Sequence, residues 1–187
     1  MDRDRRVLLV HFDFVTPQQP SGLWACPGGG IDDSESVTEG LIRELDEELG
    51  LRIDDPGSPV WWMQRLFPMT GFDGQHDTYF LVEVDAFEPR PHFTEAELRA
   101  EHLDGMRWWA YDEIQQAQAR FDAGDPTVDG YVTFSPRGLG HFLDDLLASG
   151  RPPEPIEVDA PAATRPPNGP PASSDSDRPS DGPRSPA

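Results

Sequence analysis

The chain has 187 residues and a net charge of −20, with 35 acidic residues against 15 basic residues, all of them arginine. This acidic excess argues against a general nucleic-acid surface, which needs a basic patch. Cys26 is the only cysteine, so an intrachain disulfide is excluded, and no apolar run approaches the length of a membrane span. We therefore expect a cytoplasmic protein with no membrane partner.

Strands and helices alternate along the first 150 residues. Segments rich in aromatic and β-branched residues predict strands over 6–14, 60–67, 78–87 and 106–109. Capping signals and apolar residues at helical spacing predict helices over 37–49, 96–103, 111–119 and 138–148. Interleaved strands and helices predict one layered α/β domain, which is long enough to bury a core.

The composition changes sharply at residue 151. The segment 151–187 holds 11 of the chain's 21 prolines and has no aromatic residue. Such a segment buries too little apolar surface to offset the entropy cost of ordering it. We therefore predict a folded domain over 1–150, followed by a disordered proline-rich tail over 151–187.

A glycine-rich loop at 27–30 precedes the first predicted helix. Ser36 and Glu39 have the spacing of a capping box, so this helix should begin at Val37. Gly50 should end it, because glycine accepts the left-handed conformation of a helix C-terminus. Loop residues without a Cβ atom also let the backbone approach a ligand closely.

The helix carries three carboxylates, Glu44, Glu47 and Glu48, at positions i, i+3 and i+4 of one face. Like charges at this spacing repel, and acids near a helix C-terminus oppose its macrodipole. Broken local rules indicate a functional site, and a hard divalent cation with oxygen ligands would remove the conflict. The alternative is a solvated acidic face on which Arg43 pairs with Glu47.

The full spacing of this segment resembles the Nudix box at every defined position. The matching residues are Gly29, Glu35, Arg43, Glu44, Leu45, Glu47, Glu48, Gly50 and Leu51. The resemblance implies a Nudix α/β/α sandwich around a mixed sheet. It also implies Mg²⁺-dependent hydrolysis, with Mn²⁺ as a substitute, of a nucleoside diphosphate linked to another group. The products would be a nucleoside monophosphate and a phosphorylated compound.

The same resemblance implies roles for individual residues. Catalytic and metal-binding roles would belong to Glu44, Glu47 and Glu48, with Glu44 a candidate for either ligand or general base. The carbonyl of Gly28 would face the metal as well. Supporting roles would belong to Gly29, Glu35 and Arg43.

Residues outside the box leave several alternatives open. The segment 107–114 resembles one that follows a late acidic metal ligand or base in the family, which makes Glu101 the first candidate and Glu97 the second. Either could equally be a surface acid. A small nucleotide-type substrate could stack on an aromatic side chain, although core or dimer packing is the commoner role of such residues. The candidates are Trp61, Trp62, Phe72, His76 and Tyr79.

Two rival functions and the oligomeric state also remain open. A catalytically silent Nudix domain that only senses a nucleotide would be expected to lack box carboxylates, and none is missing. The isoprenyl diphosphate isomerase branch of the fold needs further catalytic residues, including a cysteine, and only Cys26 near the loop points that way. A dimer is one option for the oligomeric state.

Overall fold

The computed structural model describes residues 1–69, 72–100 and 102–159. Within these ranges the chain forms two β-sheets and four helices. The strands are β1 (Arg6–Phe12), β2 (Leu23–Ala25), β3 (Pro59–Met69), β4 (Phe72–Phe80), β5 (Leu103–Ala110), β6 (Thr133–Ser135) and β7 (Ile156–Glu157). The helices are α1 (Val37–Leu49), α2 (Glu95–Ala100), α3 (Tyr111–Asp122) and α4 (Leu139–Ser149).

Both sheets are mixed. The first has the order β5-β1-β2-β6, in which β1 runs antiparallel to both of its neighbours and β2 runs parallel to β6. The second has the order β4-β3-β7, with β4 antiparallel and β7 parallel to β3. The predicted α/β class is therefore confirmed, but the strands divide between two mixed sheets where one was expected.

Helices cover both faces of the first sheet. Leu8 and Leu9 are consecutive residues of β1, so their side chains point to opposite faces. Leu8 packs with Leu45 and Leu49 of α1. Leu9 belongs to a larger cluster that includes residues of α3, α4 and β3. This arrangement is the expected α/β/α layering, with α1 on the opposite side of the sheet from α3 and α4. No helix of the described residues is long and apolar enough to cross a membrane.

Several predicted element boundaries are wrong, and strand pairing explains two of them. The strand predicted over 78–87 corresponds to β4, which ends at Phe80. Phe80 pairs with Pro59, the first residue of β3, so β3 offers no further partner beyond that point. Beyond Phe80 the chain is held by single hydrogen bonds. One example is the bond that the Met1 amino group donates to the carbonyl of Val82 at 2.7 Å. The helix predicted to reach residue 103 ends at Ala100, because Leu103 pairs with β1.

The predicted disorder from residue 151 is wrong for residues 151–159. Strand β7 pairs with β3, and Val158 is 2% exposed within the main core cluster. The Asp159 carboxylate accepts hydrogen bonds from the backbone amides of Arg137 and Gly138 at the start of α4. The segment thus adds a strand to the edge of β3, the buried side chain of Val158 to the core, and a carboxylate to the start of α4. The rest of the predicted tail, 160–187, lies outside the described residues.

Candidate active site

Local interactions form helix α1 as expected. The hydroxyl of Ser36 accepts from the Glu39 amide at 3.3 Å, and the Glu39 carboxylate accepts from the Ser36 amide at 2.8 Å. At the other end, Gly50 adopts a left-handed φ of 65°, and its amide donates to the carbonyl of Asp46. The predicted capping box and glycine terminus are therefore confirmed. They fix where the helix begins and ends, and the packing of Leu45 and Leu49 on Leu8 orients it on the sheet.

Arg43 joins the glycine loop to the helix. Its Nε and Nη2 donate to the two carboxylate oxygens of Glu35 at 2.8 and 3.0 Å. Its Nη1 donates to Glu44 at 2.9 Å and to Glu47 at 3.0 Å. Its Nη2 also donates to the carbonyl of Gly30 at 2.9 Å. These hydrogen bonds lower the pKa of Glu35 and raise that of Arg43, because they stabilise the charged form of each group.

The glycine loop packs directly on the helix carboxylates. A Cβ atom on Gly29 would lie 2.5 Å from a carboxylate oxygen of Glu44, so only glycine fits there without displacing that side chain. Gly28, with a φ of 135°, donates its amide to Oε2 of Glu48 at 3.0 Å. Glu48 is only 6% exposed, so this bond helps to offset the cost of burying its carboxylate.

Loop and helix together enclose a cavity of about 440 Å³. We call it the carboxylate cavity, and its lining residues are Phe12, Gly28, Gly29, Gly30, Arg43, Glu44, Glu47, Glu48 and Phe93. Carboxylates with nearby backbone oxygens are the donors that hard divalent cations prefer. Among the described residues, no three His, Cys, Asp or Glu side chains already converge on one point. The donor set fits a metal, and the carboxylates already have other partners: Arg43 donates to Glu44 and Glu47, and the Gly28 amide donates to Glu48.

The two candidates for a late acidic ligand or base, Glu101 and Glu97, differ in what the structure shows of them. Glu101 lies outside the described residues. The Glu97 carboxylate accepts from both the amide and the hydroxyl of Thr94, each at 2.8 Å, and these hydrogen bonds lower its pKa. Glu97 therefore caps the start of α2, and it is not part of the carboxylate cavity's lining.

Phe12 and Phe93 line the carboxylate cavity but were not among the residues predicted from the sequence. Phe12 is the last residue of β1, and only its pairing with β2 and β5 brings it to the glycine loop. Phe93 reaches the cavity because the preceding residue, His92, donates its amide to the carbonyl of Glu47 at 2.8 Å. Neither residue has a sequence signal of its own, since both placements depend on contacts between distant segments.

A second, larger cavity of about 1060 Å³ adjoins the first, sharing Phe12 and the glycine loop with it. Of the predicted aromatic candidates, Trp61, His76 and Tyr79 line it. Trp61 is also a buried core residue, and burial raises the pKa of Tyr79. Trp62 stacks on His76 with ring centroids 5.5 Å apart, away from the carboxylate cavity's lining. The side chain of Phe72 lies outside the described part of the structure.

Cys26 lies at the start of the glycine loop and lines the larger cavity. It is partly buried, and desolvation raises the pKa of its thiol to about 11. A thiol with so high a pKa is a poor nucleophile at neutral pH. In this environment Cys26 acts as a small hydrophobic residue.

Comparison with known proteins gives consistent matches. A family model of the NUDIX domain matches residues 1–128. The RNA pyrophosphohydrolase of a Nitratiruptor species is 41% identical over 82 residues, which cover 40% of this chain and 53% of that protein. The RNA pyrophosphohydrolase of Aliivibrio fischeri is 31% identical over 99 residues, which cover 47% of this chain and 57% of that protein. The chain thus spans about half the length of the curated relatives it matches.

Among solved structures, the solution structure of the E. coli ORF135 protein aligns with a TM-score of 0.48 and 23% identity. That alignment covers 82% of this chain and 89% of the other. The family match is the stronger result, because it spans more than half of the chain and contains the whole box from Gly29 to Leu51. The chain belongs to the Nudix family.

Proposed function

We propose that this protein is a divalent-cation-dependent pyrophosphohydrolase. Its substrate would be a nucleoside diphosphate linked to another group, and its products a nucleoside monophosphate and a phosphorylated compound. One observation carries the proposal: the three carboxylates of α1 and the glycine loop line a single cavity in a chain with a complete Nudix box. Oxygen donors beside an open cavity suit a cation that must also contact phosphate oxygens.

The proposed metal ligands are Glu44, Glu47 and Glu48, joined by the carbonyl of Gly28, with Glu101 as a further candidate. Mg²⁺ is the expected ion and Mn²⁺ a substitute. When bound, the cation supplies charge neutralisation for the diphosphate and polarises a phosphoryl oxygen.

The chain's own residues prepare this site. Arg43 holds Glu44 and Glu47 on the cavity side of the helix, and it holds the loop through Gly30. Glu35 anchors the guanidinium from its other side. Glu44 is a candidate both for a ligand and for the base that accepts a proton from the attacking water. Gly29 leaves room for its carboxylate.

A short nucleotide is the favoured substrate class. The curated relatives are named RNA pyrophosphohydrolases, which supports a phosphoanhydride at the 5′ end of a nucleotide. The net charge of −20 disfavours extended contact with a long polyanion. The single cysteine supports the cytoplasm as the compartment.

A substrate panel with matched variants tests the proposal. Nucleoside triphosphates, dinucleoside polyphosphates, nucleotide sugars and a short 5′-triphosphorylated RNA would be incubated with Mg²⁺, with and without excess chelator. We expect hydrolysis of at least one compound, complete loss with chelator and recovery on adding Mg²⁺. Full activity in excess chelator, or no hydrolysis of any compound, would contradict the proposal.

Single substitutions then locate the site. Glu47→Gln and Glu48→Gln should each lower kcat by at least about 100-fold and weaken Mn²⁺ binding measured by electron paramagnetic resonance. Asp46→Asn is the matched control, because Asp46 lies on the same helix but bonds Arg52 and does not line the cavity. The control should leave both readouts unchanged. Variants of Glu47 and Glu48 that fold and bind Mn²⁺ as the wild type does would overturn the ligand assignment.

A further inference from the structure

Three rings form a row at the end of β1. The rings of Phe12 and Phe14 lie nearly parallel, with centroids 5.5 Å apart and an interplanar angle of 2°. The imidazole of His102 packs against Phe14 with centroids 5.0 Å apart. We call Phe12, Phe14 and His102 the aromatic ledge. The proposed function so far uses none of its three side chains.

The aromatic ledge begins at the carboxylate cavity and leads away from it. Phe12 lines that cavity beside the glycine loop. Phe12 and Phe14 both line the larger adjoining cavity, which the same glycine loop also borders. A ligand with phosphates against the glycine loop would therefore have the side chains of Phe12 and Phe14 next to its remaining part.

The aromatic ledge is exposed and held in place. Phe14 is 44% exposed, which leaves much of a large apolar side chain in water. His102 is anchored to Asp13 twice: its Nδ1 pairs with the Asp13 carboxylate at 2.8 Å, and its carbonyl accepts from the Asp13 amide at 3.0 Å. These bonds join the end of β1 to the start of β5, and they hold the imidazole of His102 beside Phe14 before any ligand binds. Preorganised groups lose less entropy on binding.

We propose that the aromatic ledge binds the base of the substrate by stacking. Stacking on an aromatic face tolerates any base and needs no positive charge, which suits a strongly acidic protein. The predicted consequence is a preference for base-bearing nucleotides over polyphosphates and sugar diphosphates that lack a base. This inference rests on the proposed function, because it takes the carboxylate cavity as the phosphate end of the site.

Titration with two ligands distinguishes the contribution of the aromatic ledge to affinity from that of the phosphate end of the site. The probes are a nucleoside triphosphate with methylene groups in place of the bridging oxygens, and inorganic tripolyphosphate, both titrated calorimetrically with Mg²⁺. In Phe14→Ala, the Kd of the nucleotide analogue should rise by about 5- to 150-fold, the range for losing one base–aromatic stack. The Kd of tripolyphosphate should stay within about twofold of the wild-type value.

Two further variants complete the test. Phe14→Trp keeps an aromatic face and should retain tight binding of the nucleotide analogue. Val15→Ala is the matched control, because Val15 is the next residue, is 66% exposed and lies outside the lining of both cavities. Circular dichroism would show that each variant is folded, which is expected because both side chains are exposed.

The outcomes distinguish the two proposals. Unchanged nucleotide binding in Phe14→Ala, with a wild type that still hydrolyses nucleotides, would overturn the aromatic ledge and leave the proposed function standing. An equal rise in the Kd of both ligands would also overturn the aromatic ledge, because tripolyphosphate has no base that could stack. A wild type that neither binds nor hydrolyses either type of phosphate compound would overturn the proposed function, and the aromatic ledge with it.

Discussion

The segment 151–159 should stabilise the domain, although it follows the region that matches the family model. We expect a chain ending at Gly150 to be less stable than one ending at Asp159. The shorter chain loses the buried side chain of Val158 and the Asp159 carboxylate that caps α4. Gly138, the N-cap residue of α4, makes no side-chain cap of its own, so nothing replaces Asp159.

The size of the effect follows from these two contacts. Burying a valine side chain fully contributes about 1.5–3 kcal/mol to the free energy of unfolding. A capping carboxylate at a helix N-terminus contributes about 0.5–2 kcal/mol. The sum, about 2–5 kcal/mol, is an upper limit because truncation also returns the ordering entropy of the segment. For a chain of this size, it corresponds to a fall in Tm of about 5–15 °C.

Thermal melts of three chains provide the assay: the full sequence, residues 1–159 and residues 1–150. The first two should melt within about 2 °C of each other, and the third should melt clearly lower. Asp159→Ala should lower Tm, whereas Glu157→Ala, a control at an exposed position of β7, should not. If the chain ending at Gly150 melts with the full sequence, residues 151–159 add nothing to stability and the reasoning fails.

Two smaller predictions follow from shifted pKa values. The pKa of Cys26 is raised from 9.0 to about 11 by burial, so the thiolate fraction at pH 8 is much lower in the folded protein. Alkylation by iodoacetamide at pH 8, followed by mass spectrometry, should be at least about 10-fold slower in the folded protein than after unfolding, because the higher nucleophilicity of a high-pKa thiolate offsets part of the lost fraction. Equal rates would contradict this. The second prediction concerns Glu35, whose pKa is lowered from 4.5 mainly by the hydrogen bond from Arg43. The charged carboxylate therefore stabilises the folded state above about pH 4.5, and this stabilisation is lost as the pH falls through the lower pKa of the folded state. The Tm should therefore fall between pH 5 and pH 3, with a smaller fall in Arg43→Gln; equal falls in both proteins would show that this pair does not matter.

The secondary structure of α1 was predictable because its signals are local. The capping bonds between Ser36 and Glu39 join residues three apart, and Gly50 ends the helix through its own backbone freedom. The shared face of Glu44 and Glu48 follows from helical geometry alone. Such interactions span less than two turns, so the sequence determines them without the rest of the fold. The complete Nudix box identified the family because it is a fixed pattern of residues within one continuous segment, Gly29 to Leu51.

Tertiary structure decided the features that depend on distant partners. Phe12 and Phe93 reach the same cavity although they lie far apart in the chain, and Phe93 does so through a backbone bond to α1. The end of β4 and the folding of 151–159 both depend on strand β3 and its two edges. From the sequence alone, Val158 is predicted to belong to a disordered segment. In the fold it is buried, because the edge of β3 and the core surface provide partners for it. Composition records how much apolar surface a segment has, but only the fold supplies the surface on which that segment packs.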